Sequence, residues 1–465
     1  MRHTIPVYSE QDLTPRAMEV IRAVMDDSFP EHTIKFTPWD KARRPVEYDG
    51  AVLIFGRAPE GAVISGTRYV YTYSVAQVMA KSNVASVLKA AVQQVIQRQE
   101  PVPFDRPMWT TDVEWLFSVL DPTKPTAIDI ETSGNLGVTH TPEEVGIISV
   151  AFYQAGHPPV VVVCNWDELG SGELRPHQIA DLATAMPLFT KAIYHNGKFD
   201  TRVLNRILGV KLCVWFDTML AHHVLNQAAG EHGLKPLARR YLGAPEWEEG
   251  LSKYTLKGGH YERIPTTKLV EYNGWDVYWT YKLFEFLEPQ IMADEDAEKA
   301  LTFELQAANF LLSLEKVGIP FDMDYARDFG LEQDSHMASA KHTLRAITNQ
   351  PEFNPNSPKQ VKEWLDNTGY TTDKTNEESI GLVRERATVN NDKHVVDFCD
   401  RLMEFRKANK IQGTYIKGWS SKVRDGRVHP TFLVHGTSTG RLSSTAPNAQ
   451  NVPRDKKIRK LVTIA

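Results

Sequence analysis

Three apolar, β-branched runs, PTAIDIETS, VGIISVAFYQ and PPVVVVCNW, crowd together between residues 125 and 166. Val and Ile are stiff at χ1 and suit a pleated strand, and connectors this short favour an antiparallel meander. KAIYHNGKFDTRVLNRIL then reads as a strand entering a helix. FDTMLAHHVLN, HGLKPLARRYLG and TTKLVEYNGWDVYWTYKLFEFLEPQI read as helices. Such a mix implies a central sheet covered by helices, which is an α/β fold.

The chain has 465 residues, enough for several domains with their own cores. It contains no run of about 18 apolar residues, so no membrane span is expected. The opening MRHTIPVYSEQDL lacks the apolar stretch of a secretion signal. Three scattered cysteines, Cys164, Cys213 and Cys399, argue against a disulfide framework and for a reducing, cytoplasmic setting. The formal net charge is −5, yet residues 401–465 hold 14 Lys+Arg against 3 Asp+Glu. That basic end suits a phosphate backbone, although a solvated basic surface accounts for it equally well.

Five segments are expected. Residues 1–97 alternate strand and helix patterns and form a small α/β accessory domain. Residues 98–108 are a proline-rich linker, since Pro extends neither a helix nor a central strand. Residues 109–292 carry the sheet. Residues 293–436 are mainly helical, with Ser357 and Pro358 marking one helix start. Residues 437–465 form a polar, basic stretch.

The second large block concentrates acidic residues. Asp129 and Glu131 are two apart on a strand, so alternation puts both on one face of the sheet. Like charges this close repel, and a divalent cation is the usual remedy. An exposed strand edge with salt-bridge partners would account for a lone D-x-E as well. Asn196 and Asp200 stand at i and i+4 in YHNGKFD, and Tyr272 and Asp276 at i and i+4 in YNGWD. Taken singly, Asp200 is an ordinary first-turn helix carboxylate, and Tyr272 with Asp276 an amphipathic surface pair.

Taken together, D-x-E, N-x-x-x-D and Y-x-x-x-D resemble the signature of DEDD-type 3′–5′ exonucleases with a tyrosine in the third motif. The intervening FDTMLAHHVLN and HGLKPLARRYLG are similar to the version attached to bacterial family A DNA polymerases. The resemblance implies a ribonuclease H-like mixed sheet flanked by helices. It implies that Asp129, Glu131, Asp200 and Asp276 hold two Mg²⁺ or Mn²⁺ ions, for which carboxylate oxygens are suitable ligands. Tyr272 would orient or help deprotonate the attacking water. Asn196 would contact the terminal nucleotide. His195, His222 and His223 are expected to be structural.

The segment from Thr437 to Pro453 resembles the stretch that precedes the palm carboxylates in the same polymerase family. Its matching positions are Thr437, Thr439, Gly440, Arg441, Leu442, Ser443, Ser444, Pro447, Asn448, Gln450, Asn451 and Pro453; Ala449 stands where leucine is usual. Donors such as Thr439, Arg441, Ser443, Ser444, Asn448, Gln450 and Asn451 suit a primer–template duplex. ELQAANFLLSLEKVGIPFDMD, FNPNSPKQV and MEFRKANKIQGTYI resemble the family's thumb region. The D-Y-S-x-x-E, fingers-helix and H-D-E motifs of the family are not in this sequence. The expectation is therefore a proofreading exonuclease and thumb portion, from a phage or bacterium, that acts on DNA. Its polymerisation would need palm and fingers from a second polypeptide or a missing segment.

Within residues 1–97, VLIFGRAPEGAVISGTRYVYTYSVAQVM resembles the second half of a uracil-DNA glycosylase-like domain. That family has His-Pro after Thr-Tyr; here Ser74 and Val75 follow Thr72 and Tyr73, which implies a degenerate module. Two alternatives stay open for the whole chain. One is a DNA-gripping polymerase subunit with a weak or silent nuclease. The other is a ribonuclease D-like exoribonuclease, which shares the acidic signature.

Overall fold

The computed structural model describes residues 106–462, apart from 134–144, 168, 228–231, 249–250, 252–253, 255–260 and 438, together with 3–9, 15–28, 32–38, 51–55 and 68–72. In the N-terminal segments, β1 (His3–Ser9), α1 (Pro15–Ser28), β2 (His32–Pro38), β3 (Ala51–Phe55) and β4 (Arg68–Thr72) make a parallel sheet in the order β2-β1-β3-β4. Parallel neighbours need a crossover, and α1 lies in the one between β1 and β2. Its Ala17, Ile21 and Met25, spaced four apart, form its buried stripe. Ser74, Val75, the rest of the expected accessory domain after residue 72 and most of the proline-rich linker lie outside the described residues.

The next elements are β5 (Met108–Thr110), α2 (Val113–Val119), β6 (Thr126–Thr132), β7 (Ile147–Tyr153), β8 (Val160–Val163) and α3 (Pro176–Ala185). After them come β9 (Ala192–Tyr194), α4 (Gly197–Leu208), β10 (Phe216–Asp217), α5 (Thr218–Leu225), α6 (Leu234–Leu242) and the long α7 (Thr266–Met292). The strands form one six-stranded sheet in the order β10-β9-β6-β7-β8-β5. The β6-β7 and β7-β8 pairs are antiparallel, as their short connectors predict, while β9, β10 and β5 join in parallel. The sheet is therefore mixed.

Alternation along β6 sorts its side chains. Ile128 and Ile130 enter a core with Leu116, Phe152, Val162, Leu182, Val203 and Leu204, which draws in α2, α3 and α4. Asp129 and Glu131 point the other way, toward the face against which α7 packs. Helices on both faces explain why all four valines of β8 are buried. Each contributes on the order of 1.5 kcal/mol or more through burial. Gly274 lets α7 come close: a Cβ there would stand 2.4 Å from the Pro107 Cβ. That close seat brings the YNGWD stretch down onto the acidic face.

By compactness the chain divides into one unit of residues 1–313 with 434–442, and a second of 314–433 with 443–465. The sequence puts the boundary at 292/293, whereas this division falls inside α8 (Glu295–Val317). The reason lies in the bonds of α8. Asn309 exchanges hydrogen bonds with the Val214 backbone, and Glu304 meets His223, so most of the helix is tied to the first unit.

The second unit is mainly helical. It contains β11 (Ile319–Pro320), α9 (Met323–Thr348), α10 (Pro358–Asn367), α11 (Glu377–Val389) and α12 (Lys393–Lys410), followed by a π-helical stretch at Ile411–Lys417. Short strands β12 (Arg427–Val428), β13 (Thr431–Leu433) and β14 (Ser443–Thr445) complete it, β12 pairing with β11 and β14 with β13. The Ser357 hydroxyl accepts the Gln360 N–H and Pro358 opens the helix, the start that the sequence marks. Its main core gathers Leu344, Phe353, Trp364, Leu365, Phe398 and Leu402. Among the described residues no helix is long and apolar enough to cross a membrane.

Candidate active site

Three elements deliver the acidic residues. β6 supplies Asp129 and Glu131, the first turn of α4 supplies Asp200, and α7 supplies Tyr272 and Asp276. Asp129, Glu131 and Asp276 each offer a carboxylate oxygen, and these atoms lie within 4.8 Å of one another. Asp200 stands beside this trio rather than in it. Its Oδ1 accepts the Ile130 N–H at 3.2 Å.

The turn before Asp200 is tightly built. Asn196 sits in the left-handed region (φ 63°), and the buried Asp217 accepts the N–H groups of Asn196 and Gly197 at 3.1 and 2.8 Å. The same carboxylate accepts the Met219 and Leu220 N–H groups at the start of α5. One side chain thus ties two helix starts together and fixes where α4 carries Asp200. Asn196 itself is exposed.

Burial and mutual repulsion dominate the electrostatics. Burial first, then the charges of Asp200, Asp276 and Glu131, push the Asp129 carboxyl well above its usual range. Glu131 is raised in the same way, by burial and then by Asp276. Burial raises Asp200 to about 7 against two backbone hydrogen bonds. Asp276 is raised too, against the pull of Lys235 and of hydrogen bonds from Trp247 and Tyr272. Such a cluster fits divalent ions: hard oxygen donors, half-buried or buried, with more negative charge than the neighbouring cation offsets.

Among the described residues, further side chains that were not candidates from the sequence support the site. Asn273 donates to Asp129 Oδ2 at 2.6 Å and accepts the Ser149 hydroxyl at 2.8 Å. The Trp247 indole donates to Asp276 Oδ1 at 2.6 Å. The Lys235 ammonium donates to the Tyr272 hydroxyl oxygen at 2.8 Å and lies 3.7 Å from Asp276 Oδ2. Tyr261 is a second hydroxyl neighbour of Tyr272. The one signal in the sequence was adjacency: Asn273 follows Tyr272 directly.

The histidines near the site all have protein partners. His195 bonds Thr218 Oγ1, His222 bonds His232 and Tyr241, and His223 bonds Glu304 and the Thr437 carbonyl. None belongs to the carboxylate trio. The expected duplex-contacting residues are not gathered with the carboxylates. Thr439 and Arg441 are exposed and go with the first unit; Asn448, Gln450 and Asn451 are exposed and go with the second. Ser443 is half-buried. Ser444 is buried, and its oxygen accepts the Ala449 and Gln450 N–H groups.

Comparisons with known proteins fall on the same two regions. Residues 110–292 match a family model described as 3′–5′ exonuclease, and residues 323–464 match one described as DNA polymerase family A. DNA polymerase I of Treponema pallidum is 28% identical over 278 residues, 56% of this chain and 26% of that protein. The DNA polymerase of Escherichia phage T5 is 28% identical over 311 residues, 59% of this chain and 35% of that protein. The chain thus spans about a quarter to a third of the length of these relatives. A solved structure, the POL domain of Pol1 from M. smegmatis in complex with DNA primer-template and dNTP, superposes with a TM-score of 0.58. It covers 75% of this chain and 56% of that one, at 22% identity. Residues 110–292 are thus a 3′–5′ exonuclease domain, followed at 323–464 by a part of the DNA polymerase family A domain.

Proposed function

We propose that the chain is the 3′–5′ proofreading exonuclease and DNA-binding thumb portion of a family A polymerase. Its substrate is the last phosphodiester at a DNA 3′ end, and a nucleoside monophosphate leaves. The observation that carries this reading is the convergence of Asp129, Glu131 and Asp276 beside Tyr272 on the helix-covered face of the sheet. Asp129, Glu131 and Asp276, with Asp200 alongside, would hold two Mg²⁺ or Mn²⁺ ions. When bound, such ions lower the pKa of a water and neutralise charge on a departing oxygen.

The protein's own groups do the rest. Asn273 fixes the Asp129 carboxylate against Ser149. Asp217 fixes the helix start that carries Asp200. Tyr272 orients the attacking water through its hydroxyl. Exposed donors such as Thr439, Arg441, Asn448, Gln450 and Asn451 grip the duplex without reading its sequence.

The test is a 5′-labelled primer–template incubated with Mg²⁺ and dNTPs. The expected outcome is shortening from the 3′ end without extension, abolished by Asp129→Ala with Glu131→Ala while far-UV circular dichroism is unchanged. Shortening that persists in the double variant would remove the carboxylates from the reaction. A primer left at full length by the parent chain, with duplex still bound, would leave only the DNA-gripping role. Degradation of RNA in preference to DNA would favour the exoribonuclease reading.

A further inference from the structure

Lys235 of α6 reaches the carboxylates. It stands in the first turn of that helix, with its side chain 22% exposed. Its ammonium donates to Tyr272 Oη at 2.8 Å, lies 4.6 Å from the centre of the Tyr272 ring, and stays 3.7 Å from Asp276 Oδ2. Glu248 Oε2 lies 3.9 Å away, and Asp129 and Glu131 are near enough to feel the ammonium's charge. A generic surface lysine would point its head into water; this one spends a donor on a buried phenol.

We infer that Lys235 is a positioning residue for the hydrolysis, acting through Tyr272. This rests on the exonuclease reading above. A phenol oxygen carries one hydrogen and accepts through its lone pairs. With Lys235 donating to that oxygen, and Tyr261 as a further hydroxyl neighbour, the Tyr272 hydroxyl is left to act as a donor. The groups beside that hydrogen are Asp276 and the Tyr261 oxygen. Once Asp276 is committed to an ion, the same hydrogen is available to a lone pair of the attacking water. Lys235 therefore sets the polarity of the tyrosine and places positive charge on the side of the nucleophile. The ring contact adds a cation–π attraction that holds the ammonium against the phenol.

This role differs from two others that a lysine could have here. A lysine that binds the DNA phosphate directly would act on affinity. A lysine that only offsets the carboxylate charge would act on metal affinity and stability. A residue that works through Tyr272 acts on turnover, and only while the hydroxyl is present.

The test is a double-mutant cycle on a 5′-labelled single-stranded oligonucleotide at saturating Mg²⁺. It compares Lys235→Met, Lys235→Arg, Tyr272→Phe and Lys235→Met with Tyr272→Phe. Oligonucleotide binding is measured alongside by anisotropy, with Ca²⁺ in place of Mg²⁺. Lys235→Met should lower kcat by about 10- to 100-fold. KM and Ca²⁺-supported binding should stay within about twofold. On top of Tyr272→Phe the same change should cost less than about threefold, and Lys235→Arg should recover most of the loss.

A full multiplicative loss in the Tyr272→Phe background would overturn the inference, because Lys235 would then act without the hydroxyl. So would a loss confined to KM and binding, the mark of a phosphate contact, or an unimpaired Lys235→Met in an active parent. An inactive parent chain would instead overturn the exonuclease reading and this inference with it. Lys235→Arg keeps the charge and the stem, so failure of the methionine variant to fold would not shield the idea: a fully inactive, folded Lys235→Arg that binds normally would also contradict the rescue.

Discussion

Asn273 shows how much a single side chain can organise. It is fully buried and uses both ends of its amide, one on Asp129 and one on Ser149. Replacing it with Ala leaves a buried hydroxyl and a carboxylate oxygen without their partner. The expected cost is about 1–3 kcal/mol in chemical unfolding. A rise in the Mg²⁺ concentration needed for half-maximal cleavage should accompany it, since Asp129 then has to be ordered by the ion alone. Unchanged stability and unchanged metal requirement would mean the bond is incidental. The contrast with Asp129 is instructive. Strand alternation and helical spacing made Asp129, Glu131, Tyr272 and Asp276 legible as pairs, because each pair lies on one element. Lys235 and Trp247 were not legible. Lys235 reaches Tyr272 across 37 positions and Trp247 reaches Asp276 across 29, and no local period records a contact between elements.

At the scale of elements, the most informative link joins α5 and α8 to residues 434–442. His223 on α5 lies 3.0 Å from Glu304 on α8, and its Nε2 is 3.2 Å from the Thr437 carbonyl. A neutral imidazole has one N–H, whereas the imidazolium can donate at both nitrogens. The hydrogen bond to Glu304 raises the His223 pKa above its usual value, against burial. The folded state therefore binds this proton more tightly than the unfolded chain. The stabilisation is fully present below about 6.5, the ordinary histidine value, and is lost as pH rises through the higher folded value. Amide exchange in residues 434–442, corrected for the intrinsic pH effect, should accelerate between mildly acidic and mildly alkaline pH. In His223→Gln that extra pH dependence should vanish; its persistence would place the link elsewhere. The sequence reads residues 293–436 as mainly helical, and within them a π-helical segment occupies Ile411–Lys417. There Gln412 bonds Asp334 and Tyr415 bonds the Asn451 carbonyl. These long-range partners re-aim side chains that helical periodicity alone could not have placed.

For the whole molecule, the division into two units with separate cores gives the last prediction its form. The carboxylate cluster belongs to the first unit, so metal should stabilise that unit and leave the second alone. In EDTA the cluster works against folding as it ionises. The unfolded chain releases these protons near pH 4, but the folded cluster holds them longer, with Asp200 at about 7. A carboxyl whose folded pKa is raised favours the folded state at low pH. That advantage is lost as pH climbs from about 4 to about 7. The first unit should therefore melt at a lower temperature at pH 7.5 than at pH 5.5 in EDTA. Mg²⁺ reverses this, because an ion that binds only the folded, ionised cluster adds about 2.7 kcal/mol at a hundredfold excess over its dissociation constant. The gain should be larger at pH 7.5, where no proton has to be displaced. Calorimetry with and without Mg²⁺ at the two pH values reads this directly. The Asp129→Ala, Glu131→Ala double variant supplies the control, since one transition should lose its metal response and only part of its pH sensitivity, the rest staying with Asp200 and Asp276, while the other transition stays put. A metal response spread equally over both transitions would contradict a single carboxylate site in the first unit. A first transition that rises with pH in EDTA would contradict the buried, mutually repelling cluster from which the site is argued.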